Sequence, residues 1–301
     1  MSKQTANLIC LLVAAIWGGG FLATAGALEA FDPFSVLMIR FIGAAIVSWI
    51  VIKVKKLKVT KEALIKGSIS GVLMYLAFAF QTFGLDLTNT GQNAFLTSVN
   101  VVLVPYISWF LFKRKPMGIQ VFASFICLAG IACLSLSSDG FHFSFGDLLS
   151  LICAFFFASQ IISLEFATKN CDSTVINTIQ MSAAAIVSIP FALILEDFPT
   201  SIDTNVILSC LYMICIATWL AFQLQTLAQK YTDASSASLL LCTESLFANI
   251  FGYFLLHEEK TLTMVFGGLL IFISVILVES SDRIKPVFSK VEKNVKALMK
   301  R

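Results

Sequence analysis

Ten apolar blocks of about 20 residues each divide this chain, at roughly 8–27, 34–52, 66–85, 91–112, 118–136, 147–166, 175–195, 206–228, 234–256 and 262–280. About 20 apolar residues are what a helix needs to cross ~30 Å of hydrocarbon. Lipid offers no water to backbone N–H and C=O groups, so spanning segments are helices or parts of closed barrels. Each block is read as a transmembrane helix, which makes the chain an all-α integral membrane protein. The composition agrees: 58% of the 301 residues are hydrophobic and 13% charged, against about half apolar in a soluble domain. Turn and breaker residues such as Asp32-Pro33, Lys113–Pro116, Glu196–Pro199 and His257–Lys260 mark the gaps.

The first block ends in Ala23-Thr24-Ala25-Gly26-Ala27, which has the look of a signal-peptidase site. Its length, the Trp17–Phe21 stretch at its centre and its echo later in the chain argue for a retained helix. Orientation follows from the basic residues. With the N-terminus inside, all of the 21 Lys and Arg residues except Lys260 and Arg40 fall on inner segments or in the tail. Acids such as Glu29, Asp32, Asp86, Asp139, Glu196, Asp197 and Asp203 fall on outer ones. Both termini are thus expected in the cytoplasm, with the chain in the inner membrane. Residues 282–301 form a basic tail with Val287, Phe288, Val291, Val295 and Leu298 at helical spacing. It reads either as a helix lying on the anionic leaflet or as a disordered stop-transfer tail.

The chain also repeats itself. Ala44–Ser48 recurs as Ala184–Ser188, an offset of 140 that also pairs Asp32 with Asp172 and Arg40 with Gln180. Tyr75–Thr82 recurs as Trp219–Thr226, at an offset of 144 that pairs Thr88 with Thr232 and Leu96 with Leu240. Two units follow: 1–139 with five helices and 140–281 with five more. Five is odd, so the copies must face opposite ways, giving ten transmembrane helices as two inverted five-helix repeats. Lys113–Lys115 aligning with His257–Glu259 fits that inversion. Inverted repeats let two pseudo-symmetric halves alternate around one central site, a transporter signature.

Three stretches carry a resemblance to the drug/metabolite transporter superfamily, EamA type. Ile16–Phe21 is similar to its W-G-x-x-F in helix 1, Pro33 to Arg40 to its P-x6-R in helix 2, and Thr243–Glu258 to its helix-9 motif. Ser245 stands where the family motif has proline, and Lys113–Lys115 lie near the place of its helix-4 glutamate. The resemblance implies a secondary transporter that exports or exchanges small solutes such as amino acids and related metabolites.

The candidate site begins with Glu244. A charge at mid-membrane costs at least ~2.5–3.5 kcal/mol and marks function by default. Glu244 either binds an amino or cationic group or carries a coupling proton, or it bonds a neighbouring helix as structural glue. Its repeat mate is Asn100. Gln81 and Gln225 are also mates and are expected to flank the site, with Gln160 beside them; unpaired amides are costly in lipid. Trp17, Tyr75 and Trp219 could wall an apolar pocket. Arg40 either attracts a substrate carboxylate or serves structure by snorkelling or pairing.

The function expected is transport of a small polar or amphipathic, amino-acid-like metabolite by alternating access; the alternative is a proton-coupled exporter of cationic compounds. An enzyme is not expected, since His142 and His257 lie in loops with no nucleophile–base set. No metal or cofactor is expected either: the eight cysteines form no C-x-x-C pair and read as apolar filler. No Walker-type G-x-x-x-x-G-K-[ST] phosphate loop appears, so energy would come from a gradient or a counter-substrate. The partners expected are a small-molecule substrate and membrane lipids, with no nucleic acid. Gly267-Gly268 in the last block could pack a homodimer.

Overall fold

The computed structural model describes residues 1–88, 90–113, 115–135, 143–199, 202–256 and 261–298. Asp139, His142, His257, Glu258 and Lys260, and the boundary between the two units at 139/140, lie outside the described residues. Among those described, all regular secondary structure is helical. The elements are α1 (Lys3–Leu28), α2 (Pro33–Lys55), α3 (Lys61–Leu87), α4 (Thr90–Thr97), α5 (Asn100–Phe112), α6 (Gly118–Ser135), α7 (Phe145–Ala167), α8 (Ser173–Leu195), α9 (Thr204–Tyr212), a π-helical segment Met213–Leu220, α10 (Ala221–Gln229), α11 (Ala234–Leu241), α12 (Glu244–Leu256) and α13 (Leu262–Leu298). Eight spans among them are long and apolar enough to cross a membrane, Gly118–Leu134 is a shorter apolar helix, and α1 has 26 residues. The protein is a multi-pass, all-helical membrane protein.

Local chemistry sets the helix ends. Ser2, Thr60, Asp172 and Asp233 cap α1, α3, α8 and α11 through their side-chain oxygens, satisfying N–H groups that a helix leaves free. Pro33 opens α2, and Lys56 and Lys113 close α2 and α5 in the left-handed conformation. One cap is not local. The Glu196 carboxylate, at the end of α8, accepts from the N–H groups of Phe34 and Ser35 at 2.8 and 2.6 Å. Further along the same pair, the Trp49 indole donates to Ser182 Oγ at 3.0 Å. Rising numbers on α2 meet falling numbers on α8, so these helices pack antiparallel. Each has 23 residues, and their first residues are 140 apart.

Two blocks expected to be single helices are interrupted. One breaks between α4 and α5 at Ser98 and Val99, the other between α11 and α12 at Cys242 and Thr243. At the first, Val99 N–H bonds Leu96 O and Val102 N–H bonds Val99 O; at the second, Thr243 N–H bonds Leu240 O and Leu246 N–H bonds Thr243 O. These i→i−3 bonds tighten the turn into a 3₁₀ form. The bonds of the second break repeat those of the first at an offset of 144, and the segment lengths, 8 and 13 residues, repeat with them. Hydroxyls join in: Ser98 Oγ donates to Ala94 O and Thr243 Oγ1 to Leu240 O, the back-bonding that bends helices.

α3 packs broadly on α7 and α8, and α6 on α13. The α6–α13 contact has backbone against backbone. A Cβ at Gly130 would stand 2.7 Å from Gly267 O, and one at Gly267 would stand 2.6 Å from Gly130 O. A Cβ at Gly268 would meet Leu246 at 3.1 Å. The glycine pair therefore serves packing within the chain rather than a free face for a second copy. α13 also runs as one helix through the boundary expected at 281/282; the tail's side chains from 281 on lie outside the described residues.

Overpacking a close contact typically costs ~1–3 kcal/mol. Gly130→Leu is expected to lower the melting temperature of the detergent-purified protein, whereas Gly118→Ala, whose Cβ meets nothing within 4 Å, leaves it unchanged. Tryptophan fluorescence during thermal denaturation reads both.

Candidate functional site

The two helix breaks meet. Cys242 Sγ donates to Asn100 Oδ1 at 3.3 Å, joining the turn before α12 to the start of α5. Asn100 is buried. Glu244 begins α12 two residues further on and is half-buried. It stands in the first turn of α12, the helix end whose dipole favours negative charge. Among the described residues Glu244 has no hydrogen bond or ion pair.

α1 reaches this point through Gly18. A Cβ there would lie 2.6 Å from Phe247 Cβ and 3.0 Å from Glu244 O, so only glycine lets α1 and α12 touch this closely. The neighbouring Trp17 turns the other way. Its indole N–H donates to Ala217 O at 2.9 Å, and its ring lies 5.1 Å from that of Phe222. Ala217 belongs to the π-helical segment. Ala221 N–H bonds Ile216 O and Thr218 O and passes over Ala217, whose carbonyl takes the indole instead. π-Helical turns inside longer helices are rare and recur at functional sites.

Thr218, the next residue, accepts from Arg40 Nε at 3.1 Å. The Arg40 guanidinium stands 4.6 Å above the Phe78 ring and 5.7 Å from that of Phe41, an arrangement in which aromatic faces stabilise a cation. Arg40 is only 7% exposed, and among the described residues no carboxylate pairs with it. A continuous set of contacts thus runs from the start of α12, over Gly18 and Trp17, through Ala217 and Thr218, to Arg40. An acid and a base, neither with a charged partner, stand at its two ends.

The other expected residues divide. Gln225 is buried on α10 with no partner for Oε1. Gln81 is half-buried on α3; its backbone carbonyl, not its amide, receives Asn93 Nδ2 at 3.1 Å. Gln160 is buried and donates to Gln180 Oε1 at 3.0 Å, a helix-to-helix bond that spends its amide on structure. Tyr75 is enclosed by the rings of Phe41 and Phe191, with a hydroxyl that has no partner, so it belongs to the aromatic packing of α2, α3 and α8. Trp219 is half-buried against the same cluster.

Other polar groups escaped the sequence reading. Asp147, fully buried, accepts from Ser144 N at 2.6 Å, Gln92 Nε2 at 2.7 Å and Thr88 Oγ1 at 2.8 Å. Ser144-x-x-Asp147 is a capping box, a signal that was there to be read. Its repeat counterpart is neutral: Thr232 Oγ1 donates to Asn7 Oδ1 at 2.7 Å. Asn7 and Asp147 are 140 apart, Thr88 and Thr232 are 144 apart. Glu279 on α13 has a buried Oε1 with no partner.

Comparison with known proteins places this geometry in context. The model of the EamA-like transporter family matches residues 4–136 and again 144–280. An uncharacterized transporter of Archaeoglobus fulgidus is 34% identical over 284 residues, covering 92% of this chain and 87% of its own. The uncharacterized transporter YoaV of Bacillus subtilis is 26% identical, covering 86% and 91%. A protein of known crystal structure superposes with a TM-score of 0.79 at 18% identity, covering 92% of this chain and 96% of its own, which shows a shared fold.

Removing one partner of a buried hydrogen bond costs ~1–3 kcal/mol, more when the group left behind is charged. Thr218→Val strands Arg40 Nε and is expected to destabilise the protein by that amount, while Thr218→Ser preserves it. Chemical or thermal unfolding in detergent distinguishes them.

Proposed function

Because the chain belongs to the EamA-like transporter family, and is a transporter rather than an enzyme, we propose that it carries a small amino-acid-like metabolite across the inner membrane by alternating access. The observation that carries the reading is the pair of uncompensated charges. Glu244 and Arg40 lack charged partners among the described residues yet are linked through Gly18, Trp17, Ala217 and Thr218. A solute with an ammonium and a carboxylate supplies the missing charge to each. Intramembrane ionisable groups without internal partners mark substrate or ion pathways.

In this reading ten helices form two inverted five-helix repeats, residues 1–139 and 140–281, with both termini in the cytoplasm. Support comes from the recurrence of the α4–α5 break as the α11–α12 break, and from the antiparallel packing of the repeat mates α2 and α8. Discontinuous helices at a repeat interface are where transporters of inverted-repeat design hold their substrates. Asn100 and Gln225 join Glu244 and Arg40 as the polar groups of the pathway, and Trp17 fixes its π-helical wall. Gln160 and Tyr75 act behind it, holding the helices that frame it. The second reading, proton-coupled export of a cation, draws on the lack of a side-chain partner for Glu244 among the described residues, which leaves it free to exchange a proton or a cationic group.

Counterflow in proteoliposomes loaded with a panel of amino acids, their amides and their decarboxylated amines tests both. Zwitterions are expected to exchange, with Glu244→Gln and Arg40→Gln each reducing exchange at least ~10-fold, as loss of a charged contact worth 1.4 kcal/mol or more implies. Exchange of amines at the zwitterion's rate, unaffected by Arg40→Gln, would instead favour the cation exporter.

A further inference from the structure

On the outward face of the α2–α8 pair lies an open groove of about 480 Å³, within the ~300–1,000 Å³ range of sites that hold a single small ligand. Buried Ala45 and Ala185 form its floor, and exposed isoleucines of both helices form its walls. Small residues facing one another keep two helices from filling the space between them. The Trp49 ring is tied to Ser182 Oγ across the groove, so the wall it forms is fixed. One end carries Lys53, followed within a turn by Lys55 and Lys56. All three are exposed, and among the described residues none has a carboxylate partner. Asp172, at the start of α8 and so at the same end of this antiparallel pair, is engaged in accepting from Thr174 and Val175 N–H.

We propose that this groove is a site for an anionic phospholipid, one acyl chain lying along Ala45 and Ala185 and the headgroup phosphate at Lys53. The apolar stretch cannot select a lipid, because a chain gains nothing on leaving lipid for an equally apolar groove. Selection comes from the charge at its end: unpaired lysines attract anionic headgroups, and the indole of Trp49 suits the interfacial depth of a headgroup. Glu244 is not among the residues that line it, and the site is independent of which solute is carried.

Native mass spectrometry of the delipidated full chain, titrated with phosphatidylglycerol and with phosphatidylcholine of the same acyl chains, tests it. Phosphatidylglycerol is expected to bind at least ~5-fold more tightly, and Lys53→Gln to lose about that factor, the effect of one lysine near an anionic lipid. Ala185→Phe, filling the groove, is expected to reduce binding of both lipids. Because Lys53 is exposed, its variant should melt as the wild type does, separating lost binding from lost folding. Equal affinity for the two lipids, or unchanged phosphatidylglycerol affinity in Lys53→Gln, overturns the proposal. So does a dimer mass in the wild type that Ala185→Phe converts to monomer, since the groove would then be filled by a second copy.

Discussion

Inside a bilayer no polar group can fall back on water, and this requirement governs where the chain departs from plain helix. Each irregularity brings its own partner. The π-helical segment leaves the Ala217 carbonyl to the Trp17 indole. The breaks at Ser98 and Thr243 exchange i→i−4 bonds for i→i−3 bonds and for hydroxyl back-bonds. The start of α2 takes its acceptors from Glu196, 162 residues away in sequence. Non-helical backbone at membrane depth is tolerated only when enclosed by protein or lining a polar cavity, and the π-helical segment and the break before α12 both lie against α1, at Trp17 and Gly18.

The charged groups obey the same rule with higher stakes. Arg40 is held by Thr218 and by two aromatic faces, and Glu244 stands in the first turn of α12. Neither arrangement neutralises its charge. A protein built only for stability has cheaper ways to fill those positions, since apolar replacements for buried charges are often neutral or stabilising. An acid and a base without charged partners among the described residues, along one line of contacts, fit the proposed reading, in which the solute supplies the missing charges.

Much of this was legible in the sequence, and the limits have physical causes. The apolar blocks located the helices because a 20-residue run is set by bilayer thickness alone. The repeat was visible as Ala44–Ser48 and Ala184–Ser188, and it paired Glu244 with Asn100, residues that lie beside the same Cys242 contact. The breaks were not visible, since the polar residues Thr243-Glu244-Ser245 and Thr97-Ser98 mark no turn type of their own and neither break holds Gly or Pro. The π-helical segment was equally hidden: Met213–Leu220 has no composition that distinguishes it. Gln160 and Tyr75 were expected at the pathway because polar or aromatic groups in lipid usually face inward. Their actual partners, Gln180 and the Phe41–Phe191 pair, are fixed by helix rotation, which a pattern of types does not specify. Asp147 was overlooked although its capping box is local.

The two clasps formed by Asp147 with Thr88 and by Asn7 with Thr232 occupy equivalent places in the two repeats, yet they are chemically unlike. One is a carboxylate gripped by four donor groups, the other an amide oxygen meeting a hydroxyl. Hydrogen bonds to a charged group contribute roughly twice what neutral ones do. Under the alternating-access reading proposed above, identical latches would hold two poses equally, whereas one stiff latch and one light one set those poses at different depths.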